Sequence, residues 1–346
     1  MLNVLLVKMS SMGDVIHALY AVEDAARELP GIQFDWVVEE AFADLPALHG
    51  AVREVFPVAI RRWRGRPLAA WRSGEPARFL RRLRSRSYDL VLDAQGLAKS
   101  GLVTRLARGF RVGLDARSAR EALAALAYQK SIPVPPGHAI GRLRELFGAA
   151  LGYMPPESAP ALSLGLVAAP SALAPPYVVL VHGTTWESKE YPLEHWKALA
   201  ELVTRAGYRV VLPAGNEVER RRAGAILADL EGEVAHSQTL GELARSLAGA
   251  AGVVSVDSGL GHLADALGRP LVALFGSTNP VLTGPRGARS EVIVSTSLPC
   301  VPCLVSKCRM SVGEYGKLHP PCFDGVAPES VWTALRNRMD ASTLLP

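Results

Sequence analysis

The chain has few cysteines, few aromatic residues and no long uninterrupted apolar run. Its 346 residues include only four cysteines, and Phe, Trp and Tyr together make up 6%. The most apolar region, residues 165–182, is broken by Pro170, Pro175 and Pro176, which makes it unsuited to crossing a bilayer. Nothing before the first predicted strand resembles a signal peptide. We therefore expect a cytoplasmic protein whose thiols are mostly reduced.

Two kinds of binding motif are also missing from the sequence. Neither half of the chain carries a G-x-G-x-x-G fingerprint, which counts against an NAD-dependent dehydrogenase. No nucleic-acid-binding motif is visible, and Trp63, Trp71 and Phe79 are too irregularly placed among the arginines to suggest a base-stacking surface. We therefore expect no nucleic-acid partner.

The length and the pattern of apolar segments predict two α/β domains. At 346 residues and 49% hydrophobic content, the chain can build two cores of ordinary size. Continuous apolar strands alternate with helices in each half, which indicates parallel sheets covered on both faces. Strands are predicted at residues 3–7, 34–38, 90–93, 110–114, 177–182, 208–212, 252–256 and 271–275, and helices at 15–28, 77–85, 193–206 and 259–267.

Proline and small residues separate the two alternations. We predict an N-terminal domain over residues 1–155, a linker over 156–176, a C-terminal domain over 177–326 and a last helical segment over 327–346. In open parallel sheets, ligands bind at the turns that follow the carboxyl ends of the strands. The candidate site residues of both halves lie at such turns.

The loop after the first strand, in "VKMSSMGDVIHAL", delivers one carboxylate at the start of a helix. Asp14 could serve only as a helix cap, because Asp satisfies the unpaired amides of a first turn well. It could instead accept a proton from a substrate hydroxyl, which is the work of a general base. From this loop alone, both interpretations of Asp14 stay open.

The segment "VDSGLGHLADAL" predicts an anion site in the second half. It follows a strand and opens a helix, so backbone amides point outward at the positive end of the helix dipole. Two flanking polar residues, Asp257 and His262, belong to the same candidate site, although His262 could also be an ordinary helix residue bonded to a neighbour. The amides predicted to bind phosphate are those of Ser258, Gly259, Leu260 and Gly261.

The loop "HGTTWESKEYP" supplies two hydroxyls and an ammonium after another strand. Thr184, Thr185 and Lys189 suit a leaving diphosphate, because negative charge accumulates on its oxygens as the bond to the transferred group breaks. A solvated surface lysine is the alternative interpretation of Lys189.

Positive charge is concentrated in the N-terminal half. The formal net charge is +5 and the pI is about 9.1. Such arginine clusters are commonly a solvated face, and otherwise indicate an anionic partner. One cluster is Arg61, Arg62, Arg64 and Arg66, and the other is Arg78, Arg81, Arg82, Arg84 and Arg86.

The cysteines have a spacing compatible with a metal. Cys300, Cys303, Cys308 and Cys322 form C-x2-C-x4-C-x13-C, with His319 nearby. Tetrahedral zinc accepts four thiolates at spacings of this kind, and such a site would be structural rather than catalytic. Four ordinary thiols in a loop are the alternative.

Taken in order, these segments resemble one family along nearly the whole chain, the ADP-heptose lipopolysaccharide heptosyltransferases. Further matching segments are "FDWVVEE", "PVAIRRWR", "YDLVLDAQGLAKS", "VTRLARG", "RELF", "LGY", "EHWKAL", "LARSLAGA" and "VVSVDSGLGHLADALGRP". The resemblance implies two doubly wound Rossmann-like domains facing across a cleft, the glycosyltransferase-B architecture. It also implies that the last helix packs back on the N-terminal domain.

The resemblance implies an inverting glycosyltransferase. The enzyme would move L-glycero-D-manno-heptose from ADP-heptose to Kdo of Kdo-lipid A, working peripherally at the cytoplasmic face of the inner membrane. Asp14 would be the general base, and Lys189, with the two threonines and the amides around Gly259, would hold the donor diphosphate. Glu217 would contact the nucleoside. The implied acceptor-binding residues are Ser10, Ser11, Gly13, Arg61, Arg62, Arg64 and Arg120.

We expect no cofactor in catalysis, because no D-x-D carboxylate cluster stands near the phosphate site. Three alternatives stay open at this point. One is the second inner-core heptosyltransferase, which acts on heptosyl-Kdo2-lipid A, although the segments "SSMGD" and "AIRRWR" favour the first inner-core enzyme. Another is a sugar-nucleotide epimerase of the same fold, and the third is a non-catalytic binder of anionic lipid or nucleic acid.

Overall fold

The computed structural model describes residues 2–166, 176–228, 230–236, 238–296, 298–310 and 320–340. The chain divides into two compact units, Met1–Gly165 and Leu166–Pro346, each with its own sheet. Both sheets are six-stranded, parallel and interleaved with helices. The predicted fold class of two doubly wound α/β units is therefore confirmed.

The first unit has the strand order β3-β2-β1-β4-β5-β6, so β1 and β4 are central. Leu5 of β1 pairs with Asp35 on one side and with Val91 on the other. The strands β1–β6 are Asn3–Val7, Gln33–Glu39, Val52–Val58, Tyr88–Asp93, Gly109–Leu114 and Lys130–Ile132, and the helices α1–α6 are Met12–Glu28, Ile60–Gly65, Pro67–Ser73, Glu75–Leu83, Ala98–Leu106 and Ala139–Leu151.

The second unit repeats the design with the order β12-β11-β10-β7-β8-β9. Val254 of the central strand β10 pairs with Leu180 and with Val272, and all three side chains are fully buried. The strands β7–β12 are Tyr177–Val181, Arg209–Ala214, Gly232–His236, Gly252–Val256, Leu271–Phe275 and Ser290–Val294, and the helices α7–α12 are Leu193–Arg205, Glu217–Leu227, Leu240–Gly249, Gly259–Ala266, Pro280–Thr283 and Pro328–Asp340.

The central strands are apolar on both faces because helices cover both sides of each sheet. All five residues of β7, β10 and β11 are buried, as a parallel sheet packed between helices requires. The edge strands β3 and β12 are only partly buried. This difference explains why apolar runs predicted the central strands and missed these edges.

The first ten residues of the predicted linker pack with the first unit. Arg144 donates hydrogen bonds to the carbonyl oxygens of Pro156 and Ser158, at 2.7 and 2.8 Å. Ser163 donates its amide and hydroxyl hydrogens to the carboxylate of Glu23. The domain boundary therefore falls at residue 165 rather than 155. Residues 167–175 of the predicted linker lie outside the described residues.

The last helix, α12, packs in the second unit, in place of the first-unit packing that the sequence analysis expected. Its buried residues Val331, Trp332 and Leu335 join the core formed by β10, β11 and α7. Trp332 also makes an edge-to-face ring contact with Tyr208, at a centroid distance of 6.0 Å. The apolar face of the helix is thus buried by the sheet that immediately precedes it in sequence. Within the described residues, no helix combines the length and hydrophobicity needed to span a membrane.

Candidate active site

In the first unit, Asp14 lies in the first turn of α1, immediately after β1. The helix begins at Met12 with Ser11 as its N-cap, so Asp14 is its third residue rather than the cap itself. The amide and hydroxyl of Ser11 donate to Asp14 Oδ2 at 2.9 and 2.8 Å. Lys8 Nζ lies 3.5 Å from Asp14 Oδ1, and 28% of the Asp14 side chain is exposed. The carboxylate therefore helps to cap the helix and is still accessible to a substrate.

The charges around Asp14 keep it ionised. Burial alone would raise the pKa of Asp14, but the Lys8 ammonium, the Ser11 hydrogen bonds and the charge of Arg120 outweigh it and hold the pKa well below its usual range. Asp14 is consequently a carboxylate at neutral pH and can accept a proton. The structure also brings Arg120 into electrostatic reach of Asp14.

A buried glutamine fixes the loop that carries Asp14. Gln95 Oε1 accepts the amides of Met9 and Ser10 at 2.6 and 3.2 Å, and Gln95 Nε2 donates to the Ser10 carbonyl at 2.8 Å. The fully buried Asp93 accepts the Gln95 amide and the Tyr128 hydroxyl, each at 2.8 Å. Burial raises the pKa of Asp93. Asp93 therefore has a structural role, closing the turn after β4.

The structure adds a second carboxylate, Glu39, that the sequence analysis missed. It ends β2, next to β1 in the sheet, and only 3% of the residue is exposed. Burial raises the pKa of Glu39, although the Arg61 amide and the charges of Arg61 and Lys99 oppose the shift. The only sequence signal was a pair of glutamates closing the apolar segment "FDWVVEE". A buried carboxylate at a strand end is a candidate acid or base in its own right.

Arg62 is already engaged by carboxylates of its own unit. Its guanidinium donates to Glu40 at 3.0 Å through both Nε and Nη2, and it lies 2.8 Å from Glu75. Trp63 Nε1 donates to the same Glu75 at 2.9 Å. The structure therefore gives Arg62 a place in holding α2 to α4, in addition to its predicted role toward an anionic acceptor.

The other predicted acceptor residues lie at the surface of the first unit. Arg61 is exposed and stacks over the Phe42 ring, 5.7 Å from its centroid. Arg64 and Arg120 are exposed as well. The predicted residues of the loop after β1 differ in exposure: Ser10 is buried, Ser11 is exposed and Gly13 lies half-buried in the first turn of α1. These positions are open to an anion except for Ser10.

In the second unit, Lys189 and Asp257 form the centre of the candidate phosphate site. Lys189 Nζ lies 2.7 Å from Asp257 Oδ2, and the Thr278 hydroxyl donates to the same oxygen at 2.7 Å. His262 Nε2 lies 3.6 Å from the other oxygen, Oδ1. Three side chains from three separate segments thus converge on one carboxylate.

The electrostatics identify Asp257 as a supporting group. Burial alone would raise the pKa of Asp257, but the neighbouring His262 and the charge of Lys189 hold it far below the usual range. Because both oxygens of Asp257 are taken, the residue orients Lys189 and His262 rather than touching a phosphate. Asp257 therefore has a supporting place in the candidate site, and its role in donor binding stays a prediction.

The N-terminus of α10 lies beside this cluster. Ser258 is its N-cap and accepts the Gly261 amide at 3.3 Å. The amides of Gly259 and Leu260 precede the first intrahelical bonds, and they provide the positive helix end that anions favour. A side chain on Gly261 would lie 2.6 Å from Ser255 Oγ. Gly261 is therefore required by packing against β10, and its predicted amide contact with phosphate stays a prediction.

The loop after β7 brings Lys189 to the site. Thr184 is half-buried and Thr185 is exposed, and both precede the 3-10 helix Glu187–Lys189. The Lys189 ammonium lies over the Trp186 ring, 4.7 Å from the centroid, and 16% of the lysine side chain is exposed. Stacking and the ion pair together hold the cation in place while leaving it accessible.

Glu219, rather than Glu217, is the glutamate that faces the strand ends. Glu217 is exposed, and its carboxylate is bound by Arg220 and Arg221 on the outer face of α8. Glu219 Oε2 accepts the Gly215 amide at 2.7 Å, and a side chain on Gly183 would meet the Glu219 carboxylate at 2.9 Å. Within the helix, a shift of two residues turns the carboxylate toward the loop of Thr184.

The four cysteines lie in one region of the second unit. Burial, followed by the charges of Cys308, Cys300 and Cys303, raises the pKa of the Cys322 thiol to about 12. Among the described residues, no three His, Cys, Asp or Glu side chains are arranged to hold a metal. His319 lies outside the part of the chain that the structure describes. A structural zinc stays a prediction.

Comparison with known proteins gives a consistent result. Residues 77–312 match the model of glycosyltransferase family 9 (heptosyltransferase). The chain is 48% identical to lipopolysaccharide heptosyltransferase 1 of Pseudomonas aeruginosa, over 96% of this chain and 97% of that protein. The similarity therefore extends over both units.

Solved structures agree with this similarity. E. coli heptosyltransferase WaaC with ADP superposes with a TM-score of 0.85 at 38% identity, covering 97% of this chain and 100% of that one. The same enzyme with ADP-2-deoxy-2-fluoro heptose gives a TM-score of 0.80, covering 97% and 99% of the two chains. The similarity to this enzyme thus extends over nearly the whole of both chains.

Proposed function

The chain belongs to glycosyltransferase family 9, the heptosyltransferases, and on this basis we propose that it transfers a heptose from ADP-heptose during synthesis of the lipopolysaccharide inner core. The Pseudomonas aeruginosa relative, which aligns over 96% of this chain, is named lipopolysaccharide heptosyltransferase 1. This name supports transfer to Kdo of Kdo-lipid A. The acceptor is an anionic glycolipid, so the enzyme would act at the cytoplasmic face of the inner membrane.

The observation that carries the proposal is the cluster of Lys189, Asp257 and His262 at the N-terminus of α10. A cation held by a buried carboxylate beside unpaired helix amides is a site for a phosphate group. During transfer, the bond between the anomeric carbon and the donor phosphate breaks, and ADP leaves with the electron pair. Lys189 and the helix amides stabilise the negative charge that then develops on the diphosphate.

Asp14 supplies the other half of the reaction. As a Kdo hydroxyl attacks the anomeric carbon, its proton passes to the Asp14 carboxylate. The low pKa of Asp14 keeps the group ready to accept but makes it a weak base, so proton transfer would accompany the displacement rather than precede it. A single displacement inverts the anomeric configuration, from a β-linked donor to an α-linked product.

The test is product formation from ADP-heptose with and without Kdo-lipid A, followed by mass spectrometry of the lipid and by release of ADP. We expect heptosylated lipid and ADP only when both substrates are present. Turnover of the donor without acceptor would indicate an epimerase or hydrolase. Transfer to heptosyl-Kdo2-lipid A but not to Kdo-lipid A would indicate the second inner-core enzyme instead.

A further inference from the structure

The surface formed by α2, α3 and α4 of the first unit is strongly cationic. Residues 60–86 contain ten arginines and a single acidic residue, Glu75. Three of the arginines are neutralised by carboxylates: Arg62 as described, Arg82 by Glu54, and Arg86 by Asp35 and Glu54. Among the described residues, Arg66 and Arg72 have no carboxylate partner, and both are exposed. This part of the unit therefore keeps a large uncompensated positive charge.

Two large apolar side chains protrude from the same surface. Leu68 and Trp71 of α3 are 71% and 78% exposed. They are three residues apart, and Arg72 is four residues from Leu68, so these three side chains share one face of the short helix. Ala70 lies on the opposite face and is buried. The helix is thus held to the unit by one face and presents Leu68, Trp71 and Arg72, hereafter the α3 strip, to the outside.

Exposed apolar residues are common singly, but this combination is not a typical solvated face. Trp, Leu and Arg on one helix face suit a bilayer interface, where the apolar groups enter the acyl boundary and the guanidinium stays at the headgroups.

We propose that the α3 strip, with Arg66 beside it, is the surface by which this protein docks on an anionic phospholipid membrane. The arginines attract the negative headgroups, and Leu68 and Trp71 insert below them. This inference rests on the proposed function, which places the acceptor in a lipid leaflet, but it requires no contact between the strip and the acceptor sugar. It concerns residues separate from those assigned to proton transfer or diphosphate binding.

The experiment is sedimentation of the full-length protein with large vesicles, without donor or acceptor. One vesicle set contains phosphatidylethanolamine and phosphatidylglycerol at 3:1, and the other contains phosphatidylcholine alone. We expect binding to the anionic set, and weaker binding as salt is raised, because exposed charges are screened over about 10 Å at 0.1 M salt. Equal binding to both sets would overturn the proposal.

A matched pair of double variants tests the strip itself. Leu68→Ser with Trp71→Ser should reduce vesicle partitioning by about tenfold or more, because two inserted apolar groups are lost. The control is Leu123→Ser with Leu126→Ser, which removes leucines that are 69% and 79% exposed elsewhere in the same unit. The control should bind as the natural protein does. Equal losses in both double variants, or no loss in the first, would overturn the assignment of the surface.

Arg66→Gln with Arg72→Gln should weaken binding at low salt and have little effect at high salt. Tighter binding to single-stranded RNA than to anionic vesicles, insensitive to Leu68 and Trp71, would overturn the proposal in favour of a nucleic acid. Heptose transfer to an acceptor saccharide freed of its acyl chains separates the two proposals. Transfer to this acceptor should be unchanged in the Leu68→Ser, Trp71→Ser variant if that variant has lost only membrane docking. Failure of the natural protein to transfer heptose would contradict the proposed function, but it would not affect the conclusion from the vesicle experiment.

Discussion

Lys189 and Asp257 form an ion pair of 2.7 Å between Nζ and Oδ2, with 16% and 8% of their side chains exposed. The two residues come from the loop after β7 and from the end of β10, neighbouring strands of one parallel sheet. Their pairing places a cation at the N-terminus of α10. Each residue depends on the other, since Asp257 would be a buried charge without Lys189 and Lys189 would be unconstrained without Asp257.

Replacing Lys189 by Ala should weaken both donor binding and turnover. Charge-assisted contacts are worth roughly 1.5–3 kcal/mol, so we expect ADP affinity to fall by about 10- to 100-fold. Calorimetry with ADP, beside steady-state kinetics, measures the two effects. Adding Asp257→Asn should recover thermal stability without recovering ADP affinity. Lys197→Ala, which removes a surface lysine paired with Glu194, is the control and should change neither. Normal ADP affinity in Lys189→Ala would contradict the phosphate site.

Asp14→Asn should abolish most turnover while donor affinity stays nearly unchanged. Asn keeps the size of Asp and can still accept the Ser11 hydrogen bonds, so the main loss is the proton acceptor. We expect kcat to fall by roughly 10² to 10⁴. Glu39→Gln is the matched comparison, because Glu39 is the other carboxylate at the neighbouring strand end. If Asp14→Asn kept near-normal turnover and Glu39→Gln lost it, the base would be Glu39.

The arginines should separate into acceptor-binding and structural residues. Arg61→Ala and Arg120→Ala should each raise KM for Kdo-lipid A and leave the donor KM unchanged, because both side chains are exposed and the charge of Arg120 acts on Asp14. Arg62→Ala should have a smaller effect on the acceptor, since Glu40 and Glu75 already hold that side chain. Steady-state kinetics with each substrate varied in turn measures these effects. An equal rise in both KM values would point to a folding defect.

His182 should make the protein less stable in mild acid. It is fully buried at the end of β7, and burial, with Arg222 nearby, lowers its pKa from 6.5 to about 4. Below pH 6.5 the unfolded chain takes up a proton that the folded protein refuses, so stability falls as the pH falls. Between pH 7 and pH 4 this one group should cost about 3 kcal/mol of the unfolding free energy.

Urea unfolding of the natural protein and of His182→Gln, measured at several pH values, tests this expectation. The difference between their unfolding free energies should change by about 3 kcal/mol between pH 7 and pH 4. The carboxylates contribute equally to both proteins, so their effect cancels in this difference. A difference that is constant with pH would show that His182 titrates normally.

The cysteine spacing predicts one structural zinc per chain. Metal analysis of freshly purified protein should find about one ion, and Cys303→Ser should lower the content. Catalysis should survive brief chelation, because the predicted zinc is structural. Absence of metal, with all four thiols titrating after unfolding and the three less buried ones titrating in the native state, would contradict the prediction.

Local sequence determined the elements at the centre of both units. Residues 4–7 are apolar at every position and residues 252–256 at all but Ser255, and only a strand packed between two helical layers buries such a run completely. The turns that follow these strands were equally visible, because small and polar residues interrupt the apolar pattern there. The sequence alone therefore identified both the doubly wound fold and the loops that carry Asp14, Lys189 and Asp257.

The tertiary structure decided which partners each side chain has. The sequence favoured Glu217 through its resemblance to the family, but rotation along α8 turns Glu219 toward Gly183 instead. It could not show that Arg62 is held by Glu40 and Glu75, or that Gly261 is required by Ser255. These relationships join residues from separate elements, or depend on which face of an element is covered. A local pattern specifies the period of an element, whereas its partners are chosen by the free energy of burying surfaces distant in sequence.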